Sequence, residues 1–545
     1  MNFMIPPQRK LTLGAMEQVG VLSPTQIRRE KIRIWKNVVV LSLGFLLLFM
    51  SSSSVNALQS SINPDQGLGT YSLTAIYVGL VVSSLFLVTS IICKLTAKWT
   101  IVFCNLCYTT FIAAQFHPRF YTLLPTGLLV GLAAAPLWSA KCSYISLVGK
   151  RYSELCALQQ PGTLESSERS TVMLFFGVFF ATFQSAGIWG NLITSSDVMP
   201  ECVLELIHYF SYYSLWDDII SSTASFSSYQ HCSSSDDDCT DGKDGGGKID
   251  AYPILSYGVT ERNSTDVSFC GKNFCDDLIG EVETLRRPVE WKIHLLSGLF
   301  ATTAFSSGIF IALLLDPLSR FQQVAERKRS CDLQLLFATF TQLRNVNQAL
   351  ILVLVFYGGL EQGFFEVDFT RAYVGCTWGI ENIGYVFMVG KAMNAFGSGF
   401  SGLIVEYTGR IPVFLAAFLL NVATLAYLLI WEPTMDEHYV LFIMSGAYML
   451  ADSVWQTQIN GLHGLLFHEN VEAAFSAYKV FESLGFIKRI KKSFVNTQAY
   501  FNMREHNKHL CVRIKLYALV FILTLGMVCY GVLESRERKR EVFRD

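Results

Sequence analysis

The sequence predicts an all-α membrane protein, a bundle of 11–12 transmembrane helices in two six-helix halves. Three observations lead there. The chain of 545 residues is 51% hydrophobic and 16% charged, with a mean hydropathy of +0.36, whereas soluble domains carry about 25% charged residues. Apolar runs of roughly 20 residues follow one another, the length an α-helix needs to cross ~30 Å of hydrocarbon. The stretch GLIVEYTGR at 402–410, between two such runs, has a degenerate partner in KLTAKW at 94–99, as a bundle of two related halves requires.

Residues 1–37 are polar and basic (Arg9, Lys10, Arg28, Arg29, Lys31, Arg33, Lys36) and read as a cytoplasmic amino tail, not a signal peptide. The amino-terminal half, 38–315, holds spans at about 38–58, 71–93, 99–116, 121–140, 171–193 and 294–315. The first span turns polar at its serines and Asn56, side chains that hydrogen-bond across helices or line a wet cavity. Lys141, at the end of the fourth, is expected to snorkel to the cytoplasmic interface. A basic cytoplasmic linker, 316–347, leads to the carboxy-terminal half, 348–533, with spans at about 348–368, 382–401, 411–430 and 440–459, and a basic tail at 534–545.

The end of this half resists assignment. An eleventh span begins at 474–487, but fourteen residues of helix reach only ~21 Å. If it crosses, eight basic residues from Lys488 to Lys515 fall outside; if it does not, the final span at 514–533 leaves RERKR (536–540) outside. Residues 488–509 therefore read as an anomalous insertion.

Sidedness follows from Lys and Arg. The amino tail and loops 2–3, 4–5, 6–7 and 8–9 are basic, while loops 1–2 and 9–10 have none, which places the amino terminus in the cytoplasm. The loop 194–291 then lies on the opposite side. It carries Cys202, Cys232, Cys239, Cys270 and Cys275 and the chain's one Asn-x-Ser/Thr acceptor, Asn263, features of an oxidising, glycosylating compartment. Cys376, expected at the same face, makes six cysteines, enough for three pairs. The acidic run at 233–248 fits no calcium loop and reads as a solvated segment.

Four ionisable residues fall within spans. Glu361 and Asp368, seven apart, share a helical face; Lys391 lies near mid-depth of span eight and Asp452 within span ten. An isolated charge at the bilayer centre costs about 3 kcal/mol on insertion scales, so these groups should face the bundle interior, with Glu361 and Lys391 paired. Such a pair either couples a solute or proton or simply fixes helix packing. In the 402–410 stretch, Gly402 and Gly409 permit a tight turn, and Glu406 and Arg410, four apart, reach partners on one side of a helical turn. Aligning Thr96, Ala97 and Lys98 with Thr408, Gly409 and Arg410 sets Lys94 where Glu406 stands.

Nothing enzymatic emerges. There is no phosphate-cradling Gly-Lys-Ser/Thr loop, no His-Glu-x-x-His and no paired CxxC. His463 and His468 stand in a polar loop at a spacing that suits neither a helix face nor a zinc site. The sequence thus calls for no catalytic, cofactor or metal residues, and a net charge of −1 points away from nucleic acid.

The spacing Gly-x-x-x-acid-x-x-Gly-Arg between two spans resembles the cytoplasmic loop signature of the major facilitator superfamily. NALQSSINPDQGLGTYSL (56–73), APLWSAKCSYIS (135–146) and GLEQGFFEVDFTRAYVGC (359–376) resemble the uncoordinated-93-like family, a divergent branch of that fold, and its A-type members in particular. The resemblance covers about 30–480 and resumes at 510–533. It implies a major-facilitator-type bundle without an agreed catalytic residue. It further implies a regulatory or accessory subunit of a potassium channel complex, as for the nematode founding member, partnered by lipid and a channel or receptor; with no retrieval motif at the carboxyl end, the plasma membrane is the expected location. The alternatives are a secondary transporter of a small solute, or a trafficking chaperone for membrane receptors in endosomal or endoplasmic-reticulum membrane. Transporters of this fold keep an acid in the loop after span two; Lys94 in its place leans toward a bundle that does not rock.

Overall fold

The computed structural model describes residues 23–62, 68–158, 164–195, 270–274, 290–321, 337–379, 382–434, 436–467, 470–494 and 511–542. Among them twelve long helices stand out: α1 (Pro24–Ile62), α2 (Leu68–Phe86), α3 (Val88–Ala113), α4 (Phe120–Ala157), α5 (Leu164–Ser195), α6 (Glu290–Leu314), α7 (Val346–Gly363), α8 (Ile383–Thr408), α9 (Arg410–Ile430), α10 (His438–Leu466), α11 (Val471–Phe494) and α12 (Val512–Val542). Residues 1–191 and 257–545 form one compact unit and 192–256 a second; everything below concerns the first.

Several boundaries differ from the sequence reading. Residues 24–37, read as tail, are the opening turns of α1, started by a reciprocal cap in which Ser23 N–H donates to Gln26 Oε1 (2.9 Å) and Gln26 N–H to Ser23 Oγ (3.4 Å). α4 runs past the expected 121–140 span to Ala157 and so takes in Lys150 and Arg151. At Leu87 the helical hydrogen bonds continue, Leu87 N–H to Ser83 O and Ile91 N–H to Leu87 O, both 2.9 Å. The chain therefore reverses at Thr96 (φ 64°, ψ 161°), and the second and third spans are 68–95 and 97–113. Beyond α7 the chain continues as a π-helix, Phe364–Gly375.

The last helices resolve the crossing problem. α11 runs through 488–494, so its 24 residues span ~36 Å, enough to cross; residues 495–510 lie outside the described ones. α12 begins beside the Cys270–Cys376 disulfide, where Val512 N–H donates to Phe274 O (3.0 Å). It ends beside the Gly409 turn, where Glu534 meets Arg410. RERKR thus lies at the turn end of the bundle with Arg410.

The pairings repeat. α2 packs on α4, α3 on α4, and α1 on α6; six helices later α8 packs on α10, α9 on α10, and α7 on α12. Across the halves α11 packs against α2 and α4. α5 meets α8 where a Cβ on Gly402 would come within 3.0 Å of Gly177 Cα and 3.1 Å of Met173 O. Only glycine allows that approach.

Eight of the helical stretches are long and apolar enough to cross a membrane on length and composition alone. Burial falls to 28% in the α6 span and 33% in that of α12, against 61% in those of α1 and α7. α6 and α12 therefore turn outward, with Phe305, Ile309, Phe521 and Val528 exposed as on a lipid-facing surface. α2 counts only as a shorter apolar helix, and α8, α10 and α11 are absent from the eight as well. Their polar side chains, such as Asn394 and Ser398 on α8 and Asp452, Gln456 and Gln458 on α10, are buried inside the bundle.

Candidate functional site

Helix α10 carries Asp452, Gln456, Asn460 and His463 at spacings of four, four and three, one stripe of a helix. All four are buried. Asp452 Oδ2 accepts from Asn394 Nδ2 of α8 (2.7 Å) and Gln456 Nε2 (2.5 Å), and Oδ1 accepts from Gln362 Nε2 of α7 (3.4 Å). Gln456 Oε1 in turn accepts from Gln184 Nε2 of α5 (2.7 Å), and Lys391 Nζ donates to Gln184 Oε1 (3.4 Å). The network therefore runs from the second half into the first through Gln184, and Cys142 Sγ of α4, donating to Asn460 Oδ1 (3.3 Å), makes a second link. Buried charge in an apolar medium needs such donors.

Glu361, fully buried, faces elsewhere: Oε1 accepts from Asn421 Nδ2 of α9, and among the described residues Oε2 has no hydrogen-bond partner. Tyr357 Oη donates to Asn421 Oδ1 (2.9 Å) and fixes the amide's orientation. The expected Glu361–Lys391 pair is therefore not formed. Glu361 points to α9, while Lys391 points to α5 and lies 5.0 Å from the Phe387 ring centroid.

Asp368 also departs from expectation. It pairs with Lys515 of α12 (2.6 Å). The π-helix from Phe364 turns less per residue than an α-helix, so the seven-residue spacing no longer keeps Asp368 on the face of Glu361. Of the four span charges, Glu361 and Asp452 are fully buried within the second half, Lys391 is half-buried and faces α5, and Asp368 is buried against Lys515.

At the turn end, α8 stops at Thr408 and Gly409 takes φ 77°, ψ 174°. That break separates Glu406 from Arg410, which share no helical face; Glu406 is exposed, and Arg410 Nε meets Glu534 Oε2 at 2.9 Å. Gly409 has its counterpart in Thr96, at nearly the same φ and ψ. The sequence alignment of the two turns was one residue out: Thr96 matches Gly409, and Cys93, not Lys94, takes the place of Glu406. At the other end Cys270 is joined to Cys376; Cys202, Cys232, Cys239, Cys275 and Asn263 lie outside the described residues.

His463 is not in a loop but inside α10, with Nδ1 at 3.0 Å from Ile459 O and Nε2 at 3.3 Å from Gln348 Nε2; His468 lies outside the described residues. Lys141 does not snorkel. It is fully buried, because α4 continues well past it to Ala157 and its side chain turns inward against α5.

A family model described as ion channel regulatory protein UNC-93 matches residues 59–198. The Xenopus laevis protein unc-93 homolog A is 36% identical over 505 residues, 92% of this chain and 93% of its own. This chain belongs to the UNC-93 family. The human homolog A is 32% identical over 94% of this chain and 95% of its own. The Caenorhabditis elegans protein named for potassium channel regulation, unc-93, is 26% identical over 95% of this chain and 63% of its own. Among solved structures, the Escherichia coli fucose:proton symporter FucP aligns with a TM-score of 0.52 at 12% identity, over 90% of this chain and 98% of that one. That likeness is one of fold, and with it the UNC-93 chain is a multipass, major-facilitator-type bundle.

The UNC-93 bundle uses residues that charge counting passes over: Gln184, Asn394, Asn421 and Gln456. Two signals could have found them. Asn421 is a lone amide deep in the apolar helix α9, and Asp452, Gln456 and Asn460 repeat every four residues along α10.

Proposed function

We propose that this protein is a non-enzymatic regulatory or accessory subunit of a potassium channel complex, set in the plasma membrane with its amino terminus in the cytoplasm. The potassium channel comes from the printed name of the nematode relative and the family description. The observation that carries an accessory role over a transporting one is the closed network around Asp452. Both carboxylate oxygens are taken by the protein's own amides, and Gln184 ties the halves together, an arrangement suited to holding the halves in one relation. Basic side chains at the turn end (Arg33, Lys36, Arg410, Arg538) support the orientation.

Co-expression with potassium channel subunits in a cell without either tests this: the channel current should change in density or gating. Unchanged currents across a panel of subunits, together with solute uptake by the purified protein in liposomes, would refute it. One observation favours the transporter reading, the unpartnered Oε2 of buried Glu361, and the uptake arm of the experiment addresses it.

A further inference from the structure

Lys141 is fully buried, and among the described residues its Nζ meets no oxygen or nitrogen acceptor; its polar neighbour is the Cys142 thiol, which itself donates to Asn460 Oδ1 (3.3 Å). What surrounds it is aromatic. Nζ lies 4.3 Å from the ring centroid of Phe179, 4.5 Å from Phe180, 4.8 Å from Trp138 and 5.5 Å from Phe176, all within the range at which a ring's negative face attracts a cation. The walls are braced from behind: Phe45 of α1 stands edge-on to Phe179, with centroids 5.2 Å apart, and Phe183 edge-on to Trp138 at 5.1 Å. The cage is thus held by three helices, independently of its occupant.

The occupant and the cage are mismatched. A primary ammonium brings three N–H donors, and the four rings offer no lone pair to receive them. The carboxylate in electrostatic range, Glu482, is already paired with Lys479, whose Nζ lies 4.3 Å from the Trp138 centroid. A methylated ammonium brings the same charge with no donors to satisfy, and a cage of ring faces is the chemistry that selects it. Trp138, Lys479 and Glu482 are only half-buried, so the cage has an approach from the space between α4 and α11.

We propose that Trp138, Phe176, Phe179 and Phe180 form a binding site for methylated ammonium ions, kept closed in this conformation by Lys141 as a tethered occupant. The site is independent of any channel partner and goes beyond the function proposed above. Tetramethylammonium is the probe, titrated against the purified full-length protein in detergent and followed by thermal melting and tryptophan fluorescence. Lys141→Ala empties the cage and should show saturable stabilisation by tetramethylammonium at a concentration at least ten-fold lower than the wild type requires. Sodium at equal ionic strength and tert-butanol, the uncharged compound of similar shape, should not reproduce it. Adding Phe179→Leu and Phe180→Leu should abolish it, and Lys141→Met, which refills the cage with an uncharged chain, should give a flat titration. Lys141→Ser is the second emptying variant, with the same expected response, should the alanine variant not fold. A folded emptied variant indifferent to tetramethylammonium, or one that answers tert-butanol equally, overturns the proposal.

Discussion

The two halves of the bundle bury charge in opposite ways. In the second half, Glu361 and Asp452 lie among side-chain amides that point N–H groups at them. In the first, Lys141 lies among rings that offer it only their faces. Amide hydrogen bonds are directional, so they fix the rotation of α7, α8, α9 and α10 about their axes and, through Gln184, tie the halves together. Attraction to a ring face is broad and tolerates exchange of one cation for another. The difference teaches that burial alone does not tell whether a charge holds the fold: the partners do.

The largest test of that distinction is Asn421→Leu, which removes the donor to Glu361 while Oε2 is already bare. The variant should lose about 2 kcal/mol of stability, the scale of a buried polar group left without its partner, and the lowered melting temperature in detergent reads it. Replacing both residues by leucine should recover part of the loss, because the buried carboxyl group is gone and only Tyr357 Oη is left without its acceptor. If the double variant is no better than the single, the carboxylate's hydrogen bond is not what the amide contributes.

Gln184→Leu cuts the amide bridge by which this network reaches α5 of the first half. Hydrogen bonds between membrane helices are worth up to about 1.5 kcal/mol, so a stability loss of that order is expected. Closer spacing of the two halves in the wild type than in the variant, measured by spin labels on α2 and α8, would sharpen the case for a locked pair. An unchanged label distance would leave Gln184 a local packing residue.

Lys141→Met should behave differently from either. It removes a buried amine that meets no oxygen or nitrogen acceptor among the described residues and gives up ring attraction, two opposing effects that leave stability within about 1 kcal/mol of the wild type. A melting temperature that falls as far as for Asn421→Leu would erase the contrast between the two settings.

How much of this was legible in the sequence depends on the kind of signal. Apolar runs and Lys/Arg alternation are properties of single segments facing lipid or water, and they located eleven of the twelve helices closely enough. α11 was the failure, since basic residues from Lys488 onward broke the apolar pattern while its helix continued to Phe494. Interior partners are a property of helix rotation and neighbours, which one sequence does not display. Glu361 and Lys391, expected to pair, turn to different neighbours: Glu361 to Asn421 of α9 and the half-buried Lys391 to Gln184 of α5. The π-helical register that swings Asp368 to Lys515 has no single-residue marker. Lys141 was misjudged because a lysine next to a span usually reaches an interface, and the aromatic run that holds it lies on another helix.

The smallest expected effect compares the two turns. Thr96 and Gly409 share a backbone conformation with positive φ and extended ψ, a region open almost only to glycine. In the second half glycine meets the need. In the first, a β-branched threonine is held there, with its carbonyl accepting from Thr100 Oγ1 (2.7 Å). Thr96→Gly should therefore stabilise the protein by about 0.5–1 kcal/mol, strain relief set against the greater entropy of glycine in the unfolded chain. Gly409→Thr, where a Cβ meets nothing within 4 Å, should destabilise by a similar amount through backbone strain alone. Paired melts of the two variants decide the point: equal and opposite shifts mean that the two turns are interchangeable, and a destabilised Thr96→Gly means that the threonine side chain itself holds the first turn.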